Sequence, residues 1–287
     1  MISRQGEPER TSTTSRIFRS QDSYRSGMRF ARCDLMAAVE RWPLILYLSW
    51  HDIRQRYRRS TLGPLWLTVS VAVQIAALGL VYGRLFHLDS ATYLPYLATG
   101  LTVWALIAGM INDGCFCFIA AEAYLKQSAL PKAIFPARVV LRSVICFGHD
   151  AVIVLVVLLV YSSPVGWGAL LALLGLVILA LNGLWIGLLM GILCTRFRDL
   201  PPIVASMLQV AFFITPVIWH PQSLAGQWSL LLRTNPFAIF LSLIRDPLLG
   251  TPVALSVWVV ALAVTALGWF AAFVMFARFR ARITYWL

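Results

Sequence analysis

Six apolar blocks, each bounded by charged or turn-forming residues, organise the chain: 62–86, 93–112, 139–161, 167–194, 203–219 and 255–276. Few charges fall inside them, and blocks of about 18 apolar residues predict membrane-spanning helices. The first opens behind Gly63-Pro64, a break from what precedes it. At about 1.5 Å per residue it is long enough to cross with tilt. Short turns at 87–92 and 162–166 and a short loop, TRFRDLPP, separate the blocks. Residues 220–252 are amphipathic but cut by Pro221, Gly226, Pro236, Pro247 and Gly250. They predict two short pieces, Gln227–Arg233 and Pro236–Leu248, that re-enter the membrane without crossing. Irregular backbone at that depth is tolerated only against protein or water. The pattern predicts an all-α polytopic membrane protein with six transmembrane helices.

Before the first block the pattern changes twice. Residues 1–40 are Arg/Ser/Thr-rich and predict a basic, largely disordered tail, with a helix beginning only within 29–40. No apolar leader stands at the front, so the first span is expected to be the insertion signal. In residues 41–60, Pro43 suits a first helical turn. Leu46, Trp50, Ile53 and Tyr57 share one face, while Asp52, Arg56 and Arg59 fall elsewhere. A basic amphipathic helix with Trp and Tyr on its apolar side lies in the membrane interface; a plain juxtamembrane anchor is the alternative. The transmembrane domain is then 61–280, followed by a short tail at 281–287.

Composition confirms the class and charge sets the orientation. Hydrophobic residues make up 60% of the 287 and charged ones 13%, about half the charged share of soluble domains; the mean hydropathy is +0.77. The net charge of +12 is spread in the short segments between apolar blocks. That is a positive-inside pattern and excludes a basic nucleic-acid face. With the N-terminus inside, 21 of the 24 Lys and Arg lie inward, leaving Arg84, Arg233 and Arg245 outside. Both termini are therefore expected in the cytoplasm, with 220–252 on the outer side.

Catalytic signatures are missing. The chain has no G-x-x-x-x-G-K-[ST], G-x-S-x-G or H-E-x-x-H, so it carries no phosphate cradle or hydrolase motif. Cys115 and Cys117 form a lone C-x-C with no further ligand near in sequence, so packing is expected and no metal. His149-Asp150 lies within the third span. An intramembrane acid is a functional candidate, yet no other span offers a relay partner, and a structural hydrogen bond is expected. Trp66, Tyr93, Tyr96, Trp167, Trp219 and Trp258 sit at span ends as an interfacial belt, or stack on sugar faces in a translocation path. A polytopic glycosyl- or acyltransferase would need an acid/base pair on one membrane face, and no suggestive spacing is present.

Four segments then resemble, in order and spacing, the membrane subunits of type-2 ABC exporters of the polysaccharide-export branch. RQRYRRSTLGPLW is similar to that branch's R-x-R-Y-x-x-[ST]-x-L-G-x-x-W entry to the first span. LKQSALPKAIFPAR resembles its loop between spans two and three, with Lys126-Gln127-Ser128 where a more uniformly basic stretch is usual. FRDLPPIV…FFITPVIW resembles the fifth-span region, and NPFAIFLSLIRDPLL the outer re-entrant segment. The resemblance covers roughly 41–280. It implies a homodimer working with two separate ATP-binding-cassette subunits, which bind ATP and Mg; no cofactor is expected in this chain. The implied cargo is a lipid-linked polysaccharide (O-antigen, capsule or a related glycan), with a drug or other small molecule as the alternative. It implies an ATPase-coupling surface at Leu130, Pro131, Lys132, Ile134, Phe135, Pro136 and Arg138. Pro131 fits a helix start and Pro136 a stop, making a short stiff helix with Phe135 as its anchor. The interfacial helix and gate would comprise Trp50, Asp52, Arg54, Arg56, Tyr57, Gly63, Pro64 and Trp66. The periplasmic gate would comprise Pro216, Trp219, Pro236, Phe237 and Phe240.

Overall fold

The computed structural model describes residues 20–56, 58, 65–161, 166–220 and 234–287. Among these the chain is all-helical. In order come α1 (Ser20–Glu40), α2 (Trp42–Arg56), α3 (Leu65–Leu85), α4 (Ser90–Cys115), α5 (Glu122–Gln127), α6 (Ile134–Val160), α7 (Leu170–Arg196), α8 (Leu200–Ile214), α9 (Pro236–Leu248) and α10 (Leu255–Trp286). Among the described residues five helical stretches are long and apolar enough to cross a bilayer: Thr68–Leu85, Ser90–Cys115, Ile134–Val160, Trp167–Arg196 and Leu255–Trp286. The fifth expected span is shorter than the apolar block suggested. α8 ends at Ile214, and its 15 residues cover about 22 Å against a hydrocarbon core of about 30 Å. Thr215-Pro216 stops it, because Pro disfavours helical backbone in the residue before it.

α4 is the centre of the bundle. Of its most apolar stretch 78% is buried, against 6% for α3, so α4 sits among helices and α3 at the rim. α4 packs on α6 and α7, and α7 packs in turn on α10 and α9. Where α4 crosses α7, a Cβ on Gly114 would stand 3.0 Å from the Gly187 Cα; small residues let the two backbones meet. Higher in the α7–α10 seam, the Asn182 amide donates to Thr265 Oγ1 at 2.7 Å and the Trp185 indole donates to Asn182 Oδ1 at 2.8 Å. In an apolar surround such a fully satisfied set fixes how the two helices are rotated.

α1 and the last turns of α10 pack together at one end of the bundle, here the basic end, where Arg280 pairs with Asp34. Two sequence expectations need correction there. Residues 20–40 are not a free tail but helix α1, with Ala31, Asp34 and Ala38 buried. Gly27 lies so near α10 that a Cβ would be 2.8 Å from the Ala277 carbonyl oxygen. Residues 281–286 are likewise the last turns of α10, and Ile283 is fully buried with Phe276. The few apolar side chains of α1 suffice because they face a partner helix rather than having to form a core alone.

Candidate functional site

At the basic end, α2, α4 and α6 converge on a cluster of charges. α2 buries Ile45, Leu48, Ser49 and Ile53, the first two against Ala133 and Ile134. The Ser49 hydroxyl lies 3.0 Å from the Arg138 carbonyl oxygen. This revises the expected face: Leu46 and Trp50 are exposed, as are Trp42 and Tyr47. α2 is apolar on two sides, one towards the protein and one outward. Asp52 turns inward. Arg138 grips it with two donors, Nε at 2.6 Å and Nη2 on the other oxygen. Arg142 reaches Asp52 at 3.2 Å and Asp113 of α4 at 2.7 Å. The four groups line a cleft of about 200 Å³ that also takes in Arg56 and Phe135. Asp113 and Arg142 were not among the expected site residues. Arg54 is exposed on α2, Trp66 is exposed on α3, and Tyr57, Gly63 and Pro64 lie outside the described residues.

The expected coupling segment is built differently from its sequence pattern. Pro136 does not stop a short helix; it is the third residue of α6. In the first turn its missing N–H has no intrahelical partner to lose. Pro131, Ile134, Phe135 and Pro136 are buried, Leu130, Lys132 and Arg138 are half-buried, and Phe135 packs with Phe118, Leu125 and Phe276. With 1% of its surface exposed, Phe135 cannot be an anchor offered to another protein. What the segment does present is α5: Tyr124, Lys126, Gln127 and Ser128 are exposed. Lys126 pairs with Glu122 at 2.6 Å, which holds the Glu122 carboxyl below its ordinary range.

Beside it lies a second knot. Asp34 accepts the Ala133 backbone N–H at 3.0 Å and the Arg280 Nε–H at 2.6 Å. Lys132 Nζ donates to the Arg280 carbonyl at 2.5 Å. Burial, with the nearby Arg280 charge adding to it, pushes the Lys132 amine down to about 8, against a smaller opposing effect of Asp34.

At the opposite end the backbone beyond α8 is pinned by side chains of α4 and α9. Its non-helical carbonyls need donors that lipid cannot supply. Tyr96 Oη lies 3.0 Å from Pro216 O and 2.9 Å from Trp219 O and shares its single O–H between them; Arg245 of α9 donates to Pro216 O at 2.6 Å. The Arg245 guanidinium lies 4.1 Å from the Tyr96 ring centroid, and the His220 ring 3.8 Å. Burial, then the Arg245 charge, lowers the His220 pKa. Gly100 is required here, since a Cβ would stand 2.6 Å from Val217 O. Asn235 caps α9 by accepting from Phe237 N at 2.9 Å and donates to Thr215 at 3.0 Å. The expected gate residues Pro216 and Trp219 thus sit in this seal. Pro236, Phe237 and Phe240 line a separate apolar cavity of about 420 Å³ with Met110, Trp185 and Met207. The Gln227–Arg233 piece lies outside the described residues. Tyr96 and Arg245, which carry the seal, read in sequence only as an interfacial aromatic and an outward charge.

Asp150 is buried in α6, and its Oδ1 finds no hydrogen-bond partner among the described residues. The expected structural hydrogen bond is absent for that oxygen. Cys115 and Cys117 are buried packing residues. Among the described residues no three His, Cys, Asp or Glu side chains gather as metal ligands.

With five helical stretches apolar and long enough to cross a bilayer among the described residues, the fold is that of a multi-pass membrane protein. The chain belongs to the ABC-2 type transporter membrane family, whose match runs over residues 43–249. Among its relatives is the O-antigen export system permease protein RfbA of Klebsiella pneumoniae, 24% identical over 209 residues, covering 71% of this chain and 80% of the relative. The protein of the same name from Myxococcus xanthus is 25% identical over 199 residues, covering 67% and 75%.

Proposed function

We propose that this chain is the permease subunit of a type-2 ABC exporter that carries a lipid-linked polysaccharide, O-antigen or a related glycan, across the cytoplasmic membrane. The observation that carries the reading is that relatives aligned over two thirds or more of both chains are O-antigen export permeases. The basic end is the cytoplasmic one, following the positive-inside bias. The functional unit is two copies of this chain with two ATP-binding-cassette subunits, which bind ATP and Mg. The outward apolar side of α3, with Val69, Val73, Leu80 and Val81 exposed, is available to a second copy or to lipid.

ATP-driven motion enters at α5, through Tyr124, Lys126 and Gln127, rather than through Phe135. The charge hub joins α2 to α4 and α6, so a push on one displaces the three together. At the periplasmic mouth, opening requires Tyr96 and Arg245 to release the Pro216 and Trp219 carbonyls. Each released carbonyl must find water, so the seal opens only when the path is wet.

The test is replacement of the chromosomal copy. Cells lacking the chain should retain lipid-linked glycan on the cytoplasmic side, and the chain with its ATP-binding subunit should restore surface glycan. Unchanged surface glycan together with new sensitivity to a toxic small molecule would move the cargo to the drug class.

A further inference from the structure

α6 is 27 residues long, and its N-cap residue, Ala133, makes no side-chain capping bond. Its cap comes from elsewhere. Asp34 of α1 accepts the Ala133 N–H with one oxygen and the Arg280 Nε–H of α10 with the other. The Asp34 side chain is wholly buried in this position. A carboxylate is tolerated there because each oxygen has a strong donor and because it faces the positive end of the α6 dipole. Lys132 closes the ring by donating to the Arg280 carbonyl. Three elements remote in sequence thus share one side chain. The exposed part of α5 ends only a few residues before Ala133.

We infer that Asp34 is a positioning residue for energy coupling: it caps α6 in trans and ties that cap to α10 through Arg280, so that a displacement of α5 moves the start of α6 and the end of α10 as one body. The inference rests on the exporter reading above and adds to it a role for a helix, α1, that lies ahead of the family-matched region. A stapling role alone would be met by apolar contacts, which Ala31 and Leu35 already make against α10 and its neighbours. A buried, divided carboxylate instead fixes the relative register of the helices it joins.

Two variants separate the halves of the knot. Asp34→Ala removes both contacts; Arg280→Gln removes the ion pair and leaves the Ala133 cap. Three readouts are taken on the complex purified with its ATP-binding subunit and in cells: hydrogen exchange of the peptide spanning 128–138, ATP hydrolysis, and surface glycan. Asp34→Ala should exchange at least tenfold faster at the start of α6, hydrolyse ATP within twofold of the parent, and export at least tenfold less glycan. Arg280→Gln should keep slow exchange at Ala133 and still lose export. Where Asp34→Ala fails to accumulate in membranes, Asp34→Asn, which retains an acceptor for the Ala133 N–H, takes its place and should behave as Arg280→Gln. Export at the parent rate in either variant overturns the inference. So does a fall in ATP hydrolysis in proportion to export, which is the mark of a merely destabilised complex. A parent complex that hydrolyses ATP without moving glycan refutes the exporter reading itself, and is recognised before any variant is compared.

Discussion

Removing the Asp52 carboxylate tests whether the charge hub holds the basic end together. Its side chain is 8% exposed, and those of Arg138 and Arg142 are 17% and 20% exposed. Breaking a buried pair by deleting one partner costs about 3–5 kcal/mol, because the surviving charge stays desolvated. Both arginines keep some water and Arg142 keeps Asp113, which lowers the expected cost of Asp52→Ala to about 2–3 kcal/mol. For a chain of this size that corresponds to a melting-temperature fall of about 5–10 °C. The assay is thermal unfolding of the purified protein in detergent, followed by loss of the monodisperse chromatographic peak. Arg54→Ala, an exposed change on the same helix, is the control and should leave the midpoint in place. Arg138→Met in the Asp52→Ala background should add less than its cost alone, since the stranded charge is then gone. A midpoint for Asp52→Ala within about 1 °C of the parent, or strict additivity in the cycle, would show that the cluster is solvated and exerts no hold on α2.

Three further outcomes follow from the same contacts. Arg245→Met should cost about 2–3 kcal/mol and Tyr96→Phe about 1–2 kcal/mol by leaving the Pro216 and Trp219 carbonyls short of donors; equal midpoints for parent and both variants would show that water supplies those bonds. Phe135→Ala should lower the midpoint through a core cavity, by about 3–4 kcal/mol, whereas Tyr124→Ala should leave it unchanged and reduce co-purification of the ATP-binding subunit; the reverse assignment would return the docking surface to Phe135. Lys132 has its amine lowered to about 8, below its ordinary unfolded value of about 10.4, so the folded state binds fewer protons between those values. Stability should rise with pH from about 8 to 10 and lose that rise in Lys132→Met. Amine acylation of Lys132, read by mass spectrometry beside Lys126, should increase through pH 8, and a flat profile there refutes the shift.

Hydropathy carried the long helices well, since a run of apolar residues with no charge has few places to go except through the bilayer. It failed at α8, where Ile203–Trp219 is uncharged and mostly apolar but Thr215-Pro216 ends the helix early. It also failed on α2, because lipid-facing and protein-facing positions are both apolar, so Leu46 and Trp50 marked a stripe without saying what it touches. Phe135 was misplaced for a related reason: two prolines bracket it in sequence, but Pro136 occupies a first-turn position where it breaks nothing. The charge partners were out of reach. Asp34 and Arg280 are 246 residues apart, and Asp52 and Arg142 are 90 apart. No local period encodes such pairs, whereas the short amphipathic piece Pro236–Leu248 was legible as a helix from its own local pattern.

The Asp34–Arg280 contact also sets an order of events during synthesis. α1 leaves the ribosome first, and its partner on α10 follows 246 residues later, roughly 12–50 s at ordinary elongation rates. Through that interval Asp34 can already accept the Ala133 N–H but lacks its Arg280 donor, and Ala31 lacks the α10 side chains of its cluster. The α1–α10 latch therefore closes after the α2–α4–α6 charge hub, whose residues all precede α10. A chain cut short before Ala277 would keep the Asp34 contact to the start of α6 but lose its tie to α10, leaving a buried carboxylate without its cationic partner and open to quality-control proteases.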